Sequence, residues 1–444
     1  MNIFIAGGGR VGFHLARLLS AEKHDVTVIE KDRNQVEHVD YSLDVRTVLG
    51  RAEDVLLLKS LDAGSADLFI AATGVDEVNL ITATTAKGLG AKQVVARVHD
   101  PLYNESDILY ETVMGIDYIL SPQALTAREI VNYVEHPGIV ATESFGRGHI
   151  QMMQVRVAAV PLKEGETLRD LVLPKDVLLG VIGRNGDVEI PRGDSTLHVN
   201  DYVTLIGRKE SMDETIKIFQ GVEVRHDKVV IMGGSRTSLH LAEVLEKRGR
   251  SVKLLEWNMA RCNELAAVLK KTKVVCRDAT SRLSLEQEHV DGADIFIAAT
   301  HDDERNIMAS VLAKEVGVRE ALAVVHQPDF APLVAKLGID HAVTPRACIA
   351  NRILKLVNRE RSSALAVLED GKIEILEFKL DASSPLVGEV LKAIKFPKQT
   401  LVASILRGEE VIVPRGADAL QAGDSVIVIA HARSLEAIQK LFQQ

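Results

Sequence analysis

Ile3-Phe4-Ile5-Ala6-Gly7-Gly8-Gly9-Arg10-Val11-Gly12 runs from a short apolar stretch straight into a glycine cluster, and Glu30 ends the next apolar stretch, Val26-Thr27-Val28-Ile29. Neither stretch alternates polar with apolar residues, which is the pattern of strands buried on both faces. Between them, Val11 to Leu19 repeats its apolar residues at helical spacing. The alternation continues, with strands expected at Leu68-Phe69-Ile70-Ala71 and Val94-Val95-Ala96 and a helix from Val78 to Lys87. Strands and helices in this order fold as a parallel, doubly wound sheet, so the class expected is α/β.

GxGxxG alone is a weak signal. It becomes specific when it follows a strand, opens a helix and is answered by an acid at the end of the next strand. That is the arrangement of Gly7, Gly9, Gly12 and Glu30. Gly7 permits the tight turn, Gly9 lets a pyrophosphate approach the backbone, and Gly12 lets the helix pack closely on the sheet. Gly8, Arg10 and Val11 complete the loop, whose free N–H groups and positive dipole end attract phosphate. Glu30 can accept from both hydroxyls of a ribose, and its charge disfavours a 2′-phosphate. Lys31 and Arg33 act in the opposite direction, but NAD(H) is the dinucleotide expected over NADP(H).

Thr73, Asp76, Glu77 and Asn79 follow the Leu68–Ala71 strand, at the edge where open α/β sheets bind ligands. They are candidate contacts, although Asp76 can equally cap the next helix and Glu77 complement its dipole. Arg97 ends the following strand on the same edge and suits either a phosphate or a surface ion pair.

The chain is written twice. Ile5, Gly7, Gly8, Arg10, His14, Leu15, Ala16, Val26 and Glu30 match Ile231, Gly233, Gly234, Arg236, His240, Leu241, Ala242, Val252 and Glu256. Ala66–Thr73 recurs at Ala293–Thr300, Asp76, Glu77 and Asn79 at Asp303, Glu304 and Asn306, and His99 at His326. A period of about 225 residues is far too long for a solenoid and means two copies of one large unit. In the second copy Ser235 and Ser238 replace two of the three key glycines, and Val324 stands opposite Arg97. Gly233, Gly234 and Glu256 keep part of a site, but a degenerate, structural copy is expected. Trp257 is expected to pack.

Each copy ends differently from how it begins. Val155-Arg156-Val157, a short helix near Leu168 to Leu171 and a hairpin at Asn185-Gly186 lead to a terminal helix from Met212 to Phe219. Ile190-Pro191-Arg192-Gly193 recurs as Val413-Pro414-Arg415-Gly416, Gly408-Glu409 stands at the hairpin's matching place, and Leu435 to Phe442 is the matching helix. The organisation expected is two Rossmann-like domains, 1–135 and 225–360, each followed by a small α+β lobe, 136–224 and 361–444.

Composition narrows the function. The 444 residues are 46% hydrophobic and 26% charged, which suits a folded, soluble chain. The formal net charge of −9, without a dense Lys/Arg run, gives no nucleic-acid footprint. Three cysteines, Cys262, Cys276 and Cys348, lack CxxC spacing, so buried thiols are expected rather than a disulfide framework or a metal site. No run of about 18 apolar residues suggests a membrane span, and the opening residues lack a signal peptide's basic stretch. His14, His99, His240 and His326 lack metal spacing and are read as structural or interface residues. GxSxG and Cys–His nucleophile motifs are missing, so a binding protein is expected rather than an enzyme; an NAD-dependent oxidoreductase and a nucleotide-binding scaffold are the alternatives.

The glycine loop, Glu30, the repeated ADxFIAAT with its DE and Asn, and the tandem small lobes together resemble the TrkA family, the peripheral regulatory subunits of bacterial Trk potassium uptake systems. The resemblance covers nearly the whole chain. It implies two RCK units that assemble as a homo-oligomer, in the family a tetramer, on the cytoplasmic face of a potassium-conducting membrane subunit. It also implies that NAD(H) or ADP/ATP in the N-terminal lobes biases the gate, with Gly7, Gly9, Arg10 and Gly12 as the family's loop and Glu30 as its ribose acid. The departures at Ser235 and Ser238 put the second loop's ligand in doubt.

Overall fold

The computed structural model describes residues 1–100, 103, 112–136, 139–145, 148–163, 165–184, 187–220, 226–360, 364–368 and 372–443. They fall into two compact units, each assembled from two separated segments. One holds residues 1–134 and 226–354, and the other 135–225 and 355–444. The Rossmann-like copies therefore share one unit and the small lobes share the other.

In the first unit β1 (Asn2–Ala6), β2 (Asp25–Glu30), β3 (Arg46–Leu49), β4 (Leu68–Ala71), β5 (Gln93–Arg97) and β6 (Tyr118–Leu120) form a parallel sheet ordered β3-β2-β1-β4-β5-β6. The order reverses between β1 and β4, where the carboxyl ends of the strands leave a crevice. Around it run α1 (Arg10–Ala21), α2 (Arg33–Ser42), α3 (Val55–Ser60), α4 (Asp76–Leu89) and α5 (Pro122–Glu135). The second copy repeats the sheet with β12 (Lys228–Met232), β13 (Ser251–Glu256), β14 (Lys273–Cys276), β15 (Ile295–Ala298), β16 (Glu320–Val324) and β17 (His341–Val343), ordered β14-β13-β12-β15-β16-β17. Its helices are α7 (Arg236–Lys247), α8 (Met259–Val268), α9 (Arg282–Gln287), α10 (Asp303–Val316), α11 (Ala331–Lys336) and α12 (Pro345–Glu360).

The copies are interlocked by α5. Ala127, Ile130, Val131 and Val134 fall at i, i+3, i+4 and i+7, one face of a helix. All four are buried in the core of the second sheet, with Leu241, Val252, Leu254, Ile295 and Leu322. Tyr133 on the same helix donates to Glu320 at 2.9 Å and stacks on His341 with centroids 4.6 Å apart. At roughly 1.5–3 kcal/mol for each large apolar side chain taken from water, this face binds the copies firmly.

The second unit pairs two antiparallel sheets. β7 (Ile139–Phe145), β8 (Ile150–Arg156), β9 (Val177–Arg184), β10 (Asp187–Glu189) and β11 (Tyr202–Arg208) are ordered β10-β9-β11-β8-β7, followed by α6 (Lys209–Gln220). β18 (Ala364–Leu368), β19 (Ile373–Lys379), β20 (Thr400–Arg407), β21 (Glu410–Ile412) and β22 (Ser425–His431) are ordered β18-β19-β22-β20-β21, followed by α13 (Leu435–Gln443). One face of each shares a core built from Ile150, Met152, Val181 and Ile206 against Ile373, Ile375, Ile427 and Ile429. Gly180 allows this approach, because a Cβ there falls 2.3 Å from Ile429 Cδ1. Leu168 to Leu171 forms hydrogen-bonded turns rather than the expected helix, since Leu168 and Arg169 spend their N–H groups on Ser195 and Gly193. Asn185 and Gly186 lie outside the described residues; Gly408, at the matching place, makes its turn at φ +64°.

Candidate functional site

The first glycine loop is shaped by three different steric demands. Gly7 sits at φ +105°, a backbone region that L side chains rarely adopt, with Ala72 O and Thr73 N 3.0 Å from where a Cβ would stand. A Cβ on Gly12 falls 1.8 Å from the Gly7 carbonyl oxygen, so only glycine lets α1 pass this close. A Cβ on Gly9 meets nothing within 4 Å, so this position faces open space. Gly9 is the N-cap of α1 and supplies no side-chain acceptor, which leaves the first N–H groups of the helix uncapped. Glu30 stands beside them. Its carboxylate accepts from Gly8 N at 2.6 Å, Lys31 N at 2.8 Å and Asp32 N at 3.0 Å.

A cleft of about 870 Å³ opens over this loop, within the range of small-molecule sites. Gly7, Gly9, Arg10, Val11, Glu30, Lys31, Thr73 and Arg97 line it. Other expected contacts stand elsewhere. Asn79 is fully buried; its Oδ1 accepts from Thr73 N and Oγ1, and its Nδ2 donates to Thr73 O and Arg97 O. Both lone pairs and both protons are spent, so Asn79 fastens the ends of β4 and β5 and has none left for a ligand. Glu77 is exposed outside the cleft and accepts from Tyr103. Asp76 does not cap α4, whose N-cap is Val75; it reaches across to His99 N, His99 Nδ1 and Asp100 N instead. Gly8 and Gly12 shape the loop from behind, and Gly233, Gly234 and Glu256 lie in the second copy, away from this cleft.

The cleft is rich in cations. Arg97 Nη2 donates to His99 Nε2 at 2.6 Å, and His99 Nδ1 lies 2.8 Å from Asp76 Oδ1. A guanidinium can only donate, so the His99 proton is on Nδ1, directed at Asp76. Burial lowers the Arg97 pKa, opposed by Asp76, and its Nε is buried without a hydrogen-bond partner among the described residues. Burial of Asp76 opposes its ionisation, but bonds from His99 and Asp100 hold it below the usual carboxylate range.

The far wall comes from the second copy and was not legible in the first loop's motif. Thr237, His301, His326, Pro345 and Arg346 line the same cleft. Arg346 is lowered in pKa by burial and by the charge of Arg10, against the pull of Asp303. Among the described residues neither Arg10 nor Arg346 has a carboxylate at ion-pair distance. Two guanidiniums repelling each other across a cleft are stabilised by an anion placed between them. The one sequence signal was Arg346 itself, which stands where the first copy has Gln123.

The second loop has the same bend, with Gly233 at φ +99°, and Gly234 N donates to Glu256 at 2.5 Å. Its helix, however, is closed. Ser235 Oγ accepts from Ser238 N at 3.1 Å and bonds Ala299 O at 2.6 Å, and buried Ser238 Oγ bonds Ala299 O at 3.1 Å. Arg236, the counterpart of Arg10, lies 3.8 Å from Asp100 of the first copy. Trp257 is 64% exposed rather than packed. No cluster among the described residues has the make-up of a metal site, and no described helix is long and apolar enough to cross a membrane.

Comparison with known proteins covers both halves of both copies. The TrkA-N domain matches residues 3–122 and 229–345, and the TrkA-C domain matches 152–220 and 375–443. The chain is 35% identical over 443 residues to the Trk system potassium uptake protein TrkA homolog of Archaeoglobus fulgidus, covering 100% of both. It is 32% identical over 452 residues to the Trk system potassium uptake protein TrkA of Halomonas elongata, covering 100% of this chain and 99% of that one. Among solved structures, the GsuK RCK domain matches with a TM-score of 0.65 at 18% identity, over 100% of this chain and 95% of the other. The GsuK channel bound to NAD matches with a TM-score of 0.65 at 18% identity, over 100% and 79%.

Proposed function

Because the chain belongs to the TrkA family of Trk system potassium uptake proteins, we propose that it is the nucleotide-binding regulatory subunit of a potassium-transporting membrane protein. It binds NAD(H) or an adenine nucleotide such as ADP or ATP in the first Rossmann cleft and does not consume it. The observation that carries this reading is the uncapped start of α1 at Gly9, flanked by Glu30 and faced by Arg10, Arg97 and Arg346. Phosphates accept from the free N–H groups of α1, Arg10, Arg97 and Arg346 neutralise the remaining charge, and Glu30 takes the ribose hydroxyls. Gly7, Gly9, Arg10, Val11, Glu30, Lys31, Thr73 and Arg97 are the binding residues in this reading; Gly8, Gly12 and Asn79 hold the frame.

Control follows from the cleft's two-sided construction. A nucleotide moves a gate only by as much as it binds one conformation more tightly than another. A ligand held by α1 of the first copy and by Arg346 of the second senses their separation. The subunit works as a homo-oligomer, a tetramer in this reading, on the cytoplasmic face of the membrane, which it reaches through its transporter partner. Titration calorimetry of the full chain with NADH, ADP and ATP tests the site: binding is expected, and Glu30→Ala weakens it. Affinities that Glu30→Ala leaves unchanged overturn the assignment. Flux through the reconstituted transporter that ignores bound nucleotide overturns the gating role alone.

A further inference from the structure

We propose that Cys262 and Cys276 are a modification site, closing to a reversible disulfide when the chain meets a peroxide and so making the second Rossmann copy redox-responsive. Cys262 lies on α8 and is buried, while Cys276 ends β14 and is partly open to solvent. The Cys262 thiol donates to the Glu256 carbonyl at 3.2 Å and the Cys276 thiol to the Trp257 carbonyl at 3.5 Å. These are consecutive carbonyls of the single turn between β13 and α8. Glu256 and Cys276 are also direct neighbours across the β13–β14 pairing. The two thiols are thus brought together by a strand pairing and a helix start, close enough for Cys276 to push the Cys262 thiol up.

The duplication shows that this proximity is not a property of the fold. Cys276 corresponds to Leu49, since both close their strand pairings opposite the sheet's acid, and Cys262 corresponds to Val36, since each follows its helix N-cap by four residues. The first copy has unreactive side chains at both places. Two of only three cysteines in 444 residues occupy adjoining positions in the copy whose glycine loop is closed.

Burial, then the neighbouring Cys276, push the Cys262 thiol up to about 11. Cys276, partly open to solvent where Cys262 is buried, therefore meets the oxidant first. Its sulfur attacks the peroxide, the O–O bond breaks, water leaves, and Cys276 becomes a sulfenic acid. The Cys262 sulfur then attacks the Cys276 sulfur; the S–S bond forms as the S–O bond breaks, and the second oxygen leaves as water with the Cys262 proton. Two thiols and one hydrogen peroxide give one disulfide and two waters. The bond ties α8 to the end of β14 and fixes the turn that carries Glu256 and Trp257.

This inference stands without the nucleotide reading, and its readouts are separate. Trp257 is the chain's single tryptophan, so its emission reports on this turn alone. Hydrogen peroxide on the full chain is expected to remove two of the three alkylatable thiols, lower the mass by two hydrogens and shift Trp257 emission, with dithiothreitol reversing all three. Cys276→Ser and Cys262→Ser should each abolish these changes; the partly open Cys276 position tolerates serine even if the buried one does not. Oxygen added to Cys276 with Cys262 still alkylatable overturns the proposal. So does a disulfide between chains, or three thiols that survive peroxide.

Discussion

The first and second glycine loops share a bend, a partner strand and an acid, yet one helix start is open and the other is closed. Gly9 supplies no cap to α1, whereas Ser235 caps α7 with its own hydroxyl and joins Ser238 in holding the Ala299 carbonyl. The second copy has placed an internal acceptor where the first can receive a phosphate. Loss of a site here is a change of hydrogen-bond partner for the same backbone groups, not a change of fold. Arg10 and Arg236 differ in the same sense, since Arg236 lies near Asp100 while Arg10 faces Arg346.

The harshest test of the comparison is to write the second loop into the first. The double substitution Gly9→Ser, Gly12→Ser is expected to abolish nucleotide binding, a loss of about 100-fold or more, because charge-assisted hydrogen bonds at roughly 1.5–3 kcal/mol each are replaced by a serine cap. The unfolding transition should persist but at a lower midpoint, as α7 shows that the serine pair is compatible with the fold while a Cβ at position 12 forces α1 away from the Gly7 carbonyl. Undiminished NADH or ATP affinity in calorimetry breaks the comparison. Gly12→Ser alone should unfold more easily than the double variant, since its Cβ meets the Gly7 carbonyl without the compensating hydroxyl.

Asn79 and Asn306 make the complementary case, a feature the copies did not let diverge. Asn306 repeats every bond, to Thr300 N, Thr300 Oγ1, Thr300 O and Val324 O. Asn79→Ala and Asn306→Ala should each cost on the order of 2 kcal/mol in denaturant unfolding, the price of buried polar groups left unpaired. Only Asn79→Ala should also weaken nucleotide binding, because only it loosens Thr73 and Arg97 at a cleft. Equal effects on binding show that both copies hold ligand.

A smaller effect is expected from the walls. Arg346→Ala should weaken ADP or ATP binding about tenfold, roughly 1.4 kcal/mol, and more so at low salt. Arg236→Ala should leave affinity within about twofold. An Arg346 variant that binds normally removes the second copy from the site and leaves the first loop to act alone.

How much of this was legible depended on range. The strands and the glycine loop are local, so Ile3 to Gly12 and Glu30 announced both sheet and cleft edge. The duplication announced the second copy and its two serines. What stayed hidden arose from packing between distant segments. Ala127, Ile130, Val131 and Val134 lie at helical spacing, but nothing in that spacing says that the face belongs to the other sheet. Arg346 enters the cleft only because the copies interlock. Asn79 looked like a polar residue at a ligand edge, and only its four bonds show that it is committed to the backbone. Trp257 was expected to pack, yet it follows directly on the end of its strand and stands 64% exposed.

The small lobes give the mildest and most discriminating test, because there the copies agree. Arg184 holds buried Asp201 through Nε and Nη2, both at 2.8 Å, and Arg407 holds buried Asp424 likewise at 2.9 Å. Burial alone raises the Asp201 pKa, but the Arg184 bonds and the His198 N–H outweigh it and bring it below its ordinary value. A carboxyl depressed in the folded state binds protons more readily when unfolded, so its contribution is present above the unfolded pKa, about 3.9, and is lost as pH falls through the folded one. Asp201→Asn should therefore lower Tm near neutral pH, and the gap to the parent should narrow as the pH falls below about 4. If Asp201→Asn instead keeps a constant deficit down to acid pH, the pair acts through shape rather than charge. The agreement between the lobes would then reflect packing of the two sheets, as Gly180 against Ile429 already does, and not a shared electrostatic staple.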